Sequence, residues 1–573
     1  MIKKIFLYLR VIHNGELLKK IEYKFKDKIK YFKKRTNKDL LLNGKYNIKN
    51  KKINIKFNER EKENFEYYIF DKKYNYDDLI SEIKETKQEY WRSVKINKYS
   101  DVKKIWELNR LQFLLPLSKE YMISKDNKIK KKILKIIKEW DCNNNYEYSI
   151  NWNSNLEVAI RAISLYITML ILNDYSYKQI LFYHGLHLYN EIGYSEKCIP
   201  NNHVIGEAVA LLMLSSVFDN NLSKKWYKKS IKILDKYTKS FDKYGISNEN
   251  SFSYQFFVTK MYILSLSFIK EEKLSQYFLK LIKKSLTALN YTIVNEHEIF
   301  NYGDNDNGFL YSFDNEYNIS TDIKRYYEFF IKNKMISNDF EILFYNNLLK
   351  IFNKKVSKNN DEILKSKYFL SDRVFIYNDN KICLLFNAKK ISGHAHNDSL
   401  SVNLYIDGKE ILGDSGTYSY NESKNLREFY RSREAHTTIL LENNAISVAS
   451  FRWINKEKSR LTNFTIDDDK ISIDGFLGKN IKRRIVLDIK NRKVLIYDYT
   501  KKKYIITSWI FTNKIKLNKR NEINCLNCSI IIGDDFENLK INNIKASKKY
   551  LCFCNAKQLI KKDIKESIVT IKY

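Results

Sequence analysis

The spacing of apolar positions changes once along this chain. From about residue 96 to 350, apolar side chains recur every three or four positions. Ile105, Leu108, Leu111, Leu115 and Met122 form one run, and Leu156, Ile160, Ile163 and Ile167 another. Ser154-Asn-Leu-Glu157, just ahead of the second run, has the form of a capping box. In that motif the Ser154 hydroxyl accepts from the fourth residue's N–H and the Glu157 carboxylate reaches back. Pro200 stops the chain before Asn201-Asn-His203, where a further helix is expected to begin. Helices in series, with short connections and no tetratricopeptide-type repeat, predict an all-α toroid or solenoid.

After about residue 360 the period is two. Leu400, Val402, Leu404 and Ile406 alternate with Ser401, Asn403 and Tyr405. Asp407-Gly408 then reads as a hairpin turn, and Lys409 to Leu412 as the returning strand. Arg484 to Ile489 and Lys493 to Tyr499 predict a second hairpin across Lys490-Asn-Arg492, with short strands continuing to Tyr573. Helices first and strands after, without interleaving, predict separate α and β domains. Residues 1–95 are Lys-rich and read as an N-terminal helical extension covering the first domain.

Composition adds limits rather than a fold. At 573 residues, 44% hydrophobic and 14% aromatic, the chain is long and apolar enough for two cores. A formal net charge of +35 favours an acidic partner. A compositional drift that spreads Lys over every surface accounts for the same number, since Lys, Asn, Ile and Tyr abound while there are only 2 Pro and 15 Gly. The seven Cys are odd in number and scattered, which is no disulfide framework. Cys525-Leu-Asn-Cys528 with Cys552-Phe-Cys554 lacks zinc-ribbon spacing, so buried thiols are expected. The basic, apolar start is interrupted by Arg10, His13 and Glu16 and lacks a small-residue cleavage site. No window reaches the length of a membrane span, so a cytoplasmic location is expected rather than a periplasmic one. No helix-turn-helix, zinc-finger or RNA-recognition pattern occurs, so nucleic acid is not an expected partner.

Chemistry concentrates around a few of the eight His. His13, His184, His187 and His297 have no supporting pattern and read as structural or surface residues. The densest cluster is Ser392-Gly-His394-Ala-His396-Asn-Asp398, followed by Gly413-Asp414 and Ala435-His436. In a strand, His394 and His396 would project to one side. Two imidazoles and a carboxylate from three segments suit Zn²⁺, and a hydrogen-bonded polar sheet edge would use the same residues. In Asn201-Asn-His203-Val-Ile-Gly-Glu207, His203 and Glu207 share a helix face, which also fits an Asn-capped helix start with a His–Glu pair. Glu249-Asn-Ser-Phe-Ser-Tyr254 is a polar start to another helix.

Taken in order, these segments resemble the heparinase II/III family of polysaccharide lyases. The series runs Ile105-Trp-Glu-Leu-Asn-Arg110, then Asn151-Trp152 through Glu157-Val-Ala-Ile-Arg161, Asn201 to Glu207 and Glu249 to Tyr254. It continues with Gly303-Asp-Asn-Asp-Asn-Gly308, Gly393-His-Ala-His396, Asp414 to Tyr418 and Arg431-Ser-Arg-Glu-Ala-His436. Tyr8-Leu-Arg10 is similar to the start of cytoplasmic members. The resemblance implies an incomplete (α/α) toroid over 96–355, packed on an antiparallel β-sandwich over 356–573, with the active site between them. It also implies β-elimination from a uronate-containing acidic polysaccharide, for which the sugar carboxylate must be neutralised.

Carried over residue by residue, the resemblance implies that Asn202 and His203 neutralise that carboxylate, His203 also being a candidate base. Tyr254 would be the catalytic acid, and His394 the catalytic histidine from the sandwich. It implies His396, Asp414 and His436 as ligands of a structural Zn²⁺. Glu207, Tyr418, Arg427 and Arg431 are candidates for substrate contact. Two departures, Gln255 where members often have His and Thr437 where Asn is common, are expected to bear on substrate choice. Two other readings stand beside the lyase. One is a glycan-binding or surface-polysaccharide biosynthesis protein with the same fold and little or no lyase activity. The other is a zinc hydrolase working at His396, Asp414 and His436.

Overall fold

The computed structural model describes residues 51–55, 57, 65–83, 88–99, 101–354, 366–388, 393–441, 445–449, 452–455, 458–518, 522–533 and 538–573. The N-terminal readings on Tyr8-Leu-Arg10, His13 and the apolar start lie outside the described residues, as does Ser392.

The described part of the N-terminal segment is not purely helical. A small hairpin, β1 (Tyr67–Ile69) and β2 (Lys72–Tyr74), precedes α1 (Tyr76–Ile83). The helices α2 (Val102–Asn109), α3 (Leu114–Ser124), α4 (Asn127–Asn143), α5 (Asn155–Leu172), α6 (Lys178–Cys198) and α7 (Asn202–Val217) follow. They continue as α8 (Asn221–Tyr237), α9 (Phe252–Leu266), α10 (Glu272–Asn290), α11 (Ile319–Phe330) and α12 (Phe340–Ile351). The first helical run is two helices, because Leu111 turns into the left-handed region at φ 55°.

Every second helix packs on the next but one: α3 on α5, α5 on α7, α7 on α9. These inner helices are apolar nearly all round, and the intervening α4, α8 and α10 are amphipathic. That is the inner and outer ring of an incomplete toroid. Among the described residues α5 alone is long and apolar enough to cross a membrane, a window missed in the sequence, yet 94% of it lies buried inside the toroid. The Ser154 cap differs from expectation. Its side chain makes no capping bond, and Glu157 is engaged instead by Arg110, whose Nε and Nη2 donate at 2.5 and 3.0 Å.

Beyond the β1–β2 hairpin and a two-stranded ribbon of Ala445–Ala449 and Arg452–Asn455, the described strands form two facing sheets. One holds β3 (Tyr368–Leu370), β4 (Val374–Asn378), β5 (Ile382–Asn387), β6 (Val402–Ile406) and β7 (Lys409–Leu412), in that order and antiparallel. The expected turn joins β6 to β7, with Asp407 and Gly408 both at positive φ. Helix α13 (Lys424–Arg431) leads on to the larger, ten-stranded sheet. Its backbone is the Ile481–Asp488 and Lys493–Phe511 hairpin, with Cys554–Lys572 paired alongside. Cys525 and Cys528 face each other across another hairpin, buried and unbridged; among the described residues they join no metal-ligand cluster with Cys552 or Cys554.

The smaller sheet has two buried faces, which explains why β4 and β5 show no polar alternation. Val374, Ile376, Cys383 and Leu385 pack into the core of the helices. Their neighbours Phe375, Tyr377, Leu384 and Phe386 pack against the large sheet, with Ile473, Ile496, Trp509 and Val569. This double packing fixes the sandwich against the toroid and sets the loops between them.

Candidate active site

Two inner helices begin at the site. Asn201 accepts from His203 N at the start of α7, and Ser251 accepts from Tyr254 N at the start of α9. The caps place Asn202, His203 and Tyr254 in first turns. Those turns meet where Asn202 Nδ2 donates to Glu249 Oε2 at 3.1 Å.

The loop after β5 is laced to them by backbone. His394 N donates to Glu249 O at 3.0 Å, Asp304 N donates to His394 O at 2.9 Å, and Ser251 Oγ donates to Asp304 O at 2.5 Å. Gly303 makes this approach feasible at φ 72°, since a Cβ there would stand 2.3 Å from Asn250 O and 2.8 Å from His394 O. His394 and His396 lie in a loop rather than in a strand, so the same-face expectation fails. They meet instead at one carboxylate: His394 Nδ1 is 3.1 Å from Asp304 Oδ2, and His396 Nε2 is 2.9 Å from Asp304 Oδ1.

His394 stacks on Tyr254, ring centroids 3.5 Å apart at 11°. Its Nε2 lies 3.2 Å from Asn202 Nδ2 and 3.7 Å from Glu249 Oε2. The Tyr254 and Tyr420 hydroxyls share a hydrogen bond of 2.8 Å. Burial first, and the Asp306 charge second, push Tyr254 well above the usual phenol range, so its hydroxyl keeps its proton. Burial pushes His203 down to about 4 against the opposing charge of Glu157, so the ring is neutral at pH 7.

The four expected substrate contacts divide. Tyr418 is half-buried, stacked on Phe553 at 4.0 Å, with its hydroxyl on Glu422. Arg427 is buried and grips Asp304 through Nη1 at 2.6 Å and Nη2 at 2.8 Å, and Arg431 is also buried. Glu207 has no exposed surface: Ser195 Oγ and Asn155 Nδ2 donate to it inside the toroid. With no cation paired to it among the described residues, burial raises its carboxyl to about 8. Neither departure from the family pattern faces the site. Gln255 is buried, donating to Gly245 O and Ser285 Oγ, and Thr437 donates to Gly413 O.

His396, Asp414 and His436 come together, one ligand atom from each lying within 4.8 Å of the others, and all three are buried. His396 Nδ1 and His436 Nε2 have no hydrogen-bond partner. Two buried imidazole nitrogens without partners beside a carboxylate fit a metal ion, since such atoms are otherwise costly. His436 Nδ1 is held by Asp414 Oδ2 at 2.6 Å.

Sequence reasoning passed over Asp304, Glu249 and Tyr420 as site residues. The signal for Asp304 was present in the acidic, Gly-bounded Gly303-Asp-Asn-Asp-Asn-Gly308. Tyr420 carried none, in a chain with 43 Tyr.

Comparison with known proteins places this arrangement. Residues 374–503 match the family model for the heparinase II/III-like C-terminal domain. No curated protein matches the chain. Among solved structures, heparinase III superposes with a TM-score of 0.59 at 15% identity, over 84% of this chain and 78% of that one. A heparan sulfate lyase mutant from Pedobacter heparinus gives 0.54 at 14% identity, over 87% and 82%. Identities this low establish the fold alone. The chain is thus similar to the heparinase II/III family: it carries a heparinase II/III-like C-terminal domain within a fold, toroid on sandwich, that it shares with heparinase III.

Proposed function

We propose that the protein is a polysaccharide lyase that cleaves a uronate-containing acidic polysaccharide by β-elimination. The observation that carries this reading is the meeting of Tyr254 and Asn202 from the toroid with His394 from the sandwich in one contact set. Heparinase III and the Pedobacter heparinus heparan sulfate lyase, which share the fold, are named for heparin- and heparan-type substrates, and this supports a glycosaminoglycan-like substrate.

In this reading Asn202 turns the N–H it gives His394 Nε2 toward the sugar carboxylate, which frees that nitrogen, and His203 receives the same carboxylate, whose negative charge raises the His203 pKa on arrival. His394 Nε2 takes the C5 proton, and the C5–H electrons become the C4–C5 double bond. The C4–O4 electrons leave on O4, which takes the Tyr254 hydroxyl proton. His394 then releases its proton to solvent and Tyr254 regains one from it, so the cycle closes without an added reductant or oxidant. The raised Tyr254 pKa suits an acid that must stay protonated until O4 departs. A metal at His396, Asp414 and His436, zinc by its donor set, would order the three sandwich segments that carry them.

The test is ultraviolet absorbance of the unsaturated uronate formed from heparan-, alginate- and capsule-type chains. Product is expected from at least one, and Tyr254→Phe should lower the rate by about 10²–10⁴ with the fold intact. Silence across the panel, or full activity in Tyr254→Phe, overturns the proposal.

A further inference from the structure

We propose that Asp304 is a positioning residue that sets the tautomers of His394 and His396 together, and so couples the order of the metal pocket to the lone pair presented by His394. Its kinetic consequence rests on the lyase reading; its structural content does not.

The geometry leaves Asp304 one role. Arg427 takes both carboxylate oxygens in a two-pronged grip at 2.6 and 2.8 Å. An Arg-bound carboxylate only accepts, and it offers about four lone-pair positions. The remaining two face His396 Nε2 on Oδ1 and His394 Nδ1 on Oδ2. Both of those ring nitrogens must therefore carry hydrogen. In each neutral ring the opposite nitrogen is then bare. For His396 that is Nδ1, which has no hydrogen-bond partner among the described residues, in a ring that clusters with Asp414 and His436. For His394 it is Nε2, the atom facing Asn202.

The Asn202 amide gives independent support. Its Nδ2 lies against Glu249 Oε2 at 3.1 Å, which fixes that end as the donor. The same Nδ2 faces His394 Nε2 at 3.2 Å, so His394 Nε2 must accept. Two separate sets of partners assign one tautomer. A carboxylate that orients a metal-ligating histidine through its second nitrogen is a recurrent outer partner of metal sites. Here the other oxygen of that carboxylate holds the histidine of the candidate site, so an ion that fixes the His396 ring also fixes Asp304. Asp304 is fully buried, and its backbone N–H is tied to His394 O, so it has little freedom to serve one ring without the other.

The experiment uses the full chain loaded with Zn²⁺ and labelled with ¹⁵N in histidine, His394 being assigned by the signal lost in His394→Gln. The expected spectrum shows His394 protonated at Nδ1 and bare at Nε2. In Asp304→Asn that preference should be lost, Zn²⁺ affinity should fall about 10–100-fold, and kcat should drop while KM stays within about twofold. A wild-type His394 bare at Nδ1 overturns the assignment, and this reading needs no variant to fold. An Asp304→Asn protein with unchanged tautomer and Zn²⁺ affinity overturns the coupling. Absence of any unsaturated product from wild type would sink the lyase reading alone, because the nitrogen spectrum and the Zn²⁺ titration still decide the role of Asp304.

Discussion

Two buried clusters of charge lie in this molecule, built from similar parts and put to different ends. Deep in the helices, Lys260 Nζ contacts Tyr311 O at 2.7 Å, Asp322 at 2.5 Å and Glu341 at 2.6 Å. Arg325 closes the same group by binding Asp314, Asp322, Asp339 and Glu341. Every cation there is ringed by acceptors. Between toroid and sandwich, Asp304 and Arg427 make an equally tight pair, but the two histidines attached to it turn their other nitrogens elsewhere. One meets Asn202, and the other belongs to the ring that clusters with Asp414 and His436, the candidate metal site. A closed cluster locks packing, whereas one with directed, open ends has geometry to offer a ligand. Burial and a perturbed pKa alone do not separate the two.

The largest effect is expected from Lys260→Met. It leaves Asp322, Glu341 and Arg325 unbalanced in the interior and should cost about 3–5 kcal/mol of stability in chemical denaturation. Zn²⁺ binding by the folded fraction should be unchanged; a loss of binding would show that the closed cluster also serves the site.

Glu207 is the contrasting case, a buried acid with no paired cation among the described residues. Its folded pKa, raised by burial to about 8, exceeds the unfolded value near 4.5. Its penalty is therefore absent below pH 4.5 and grows as pH rises toward 8, because the unfolded chain releases the proton first. Wild type should lose up to about 1.4 kcal/mol per pH unit across that window relative to Glu207→Gln. Equal slopes in the two proteins would contradict this.

The smallest effect is expected at Ser154→Ala. Its hydroxyl makes no cap, and Glu157 belongs to Arg110, so the change should cost less than about 0.5 kcal/mol, at the floor of ordinary cap removals. A loss of 1 kcal/mol or more in thermal unfolding would restore the capping box.

Much of this was legible in the sequence for a physical reason. Helix and strand periods follow from burial on one side, so α5, the β6–β7 hairpin and the change of class near residue 360 announce themselves. Caps at Asn201 and Ser251 are local chemistry, and they mark where Asn202, His203 and Tyr254 begin their helices. What stayed hidden depends on contacts far apart in the chain. Glu157 fits a capping box until Arg110 arrives 47 residues away. Glu207 shares a helix face with His203, but whether that face is open or buried is decided by Ser195 and Asn155. Asp304 stands 90 residues from His394, and nothing local says that one carboxylate joins two histidines.

In the proposed reaction Tyr254 from the toroid and His394 from the sandwich act on one sugar ring. A double-mutant cycle on unsaturated-product formation tests it most directly, with wild type, Tyr254→Phe, His394→Ala and the double variant on the same acidic polysaccharide. Residues acting as a unit give non-additive losses, so the double variant should be no more than a few-fold slower than the slower single one. Losses that simply multiply would contradict a shared reaction centre.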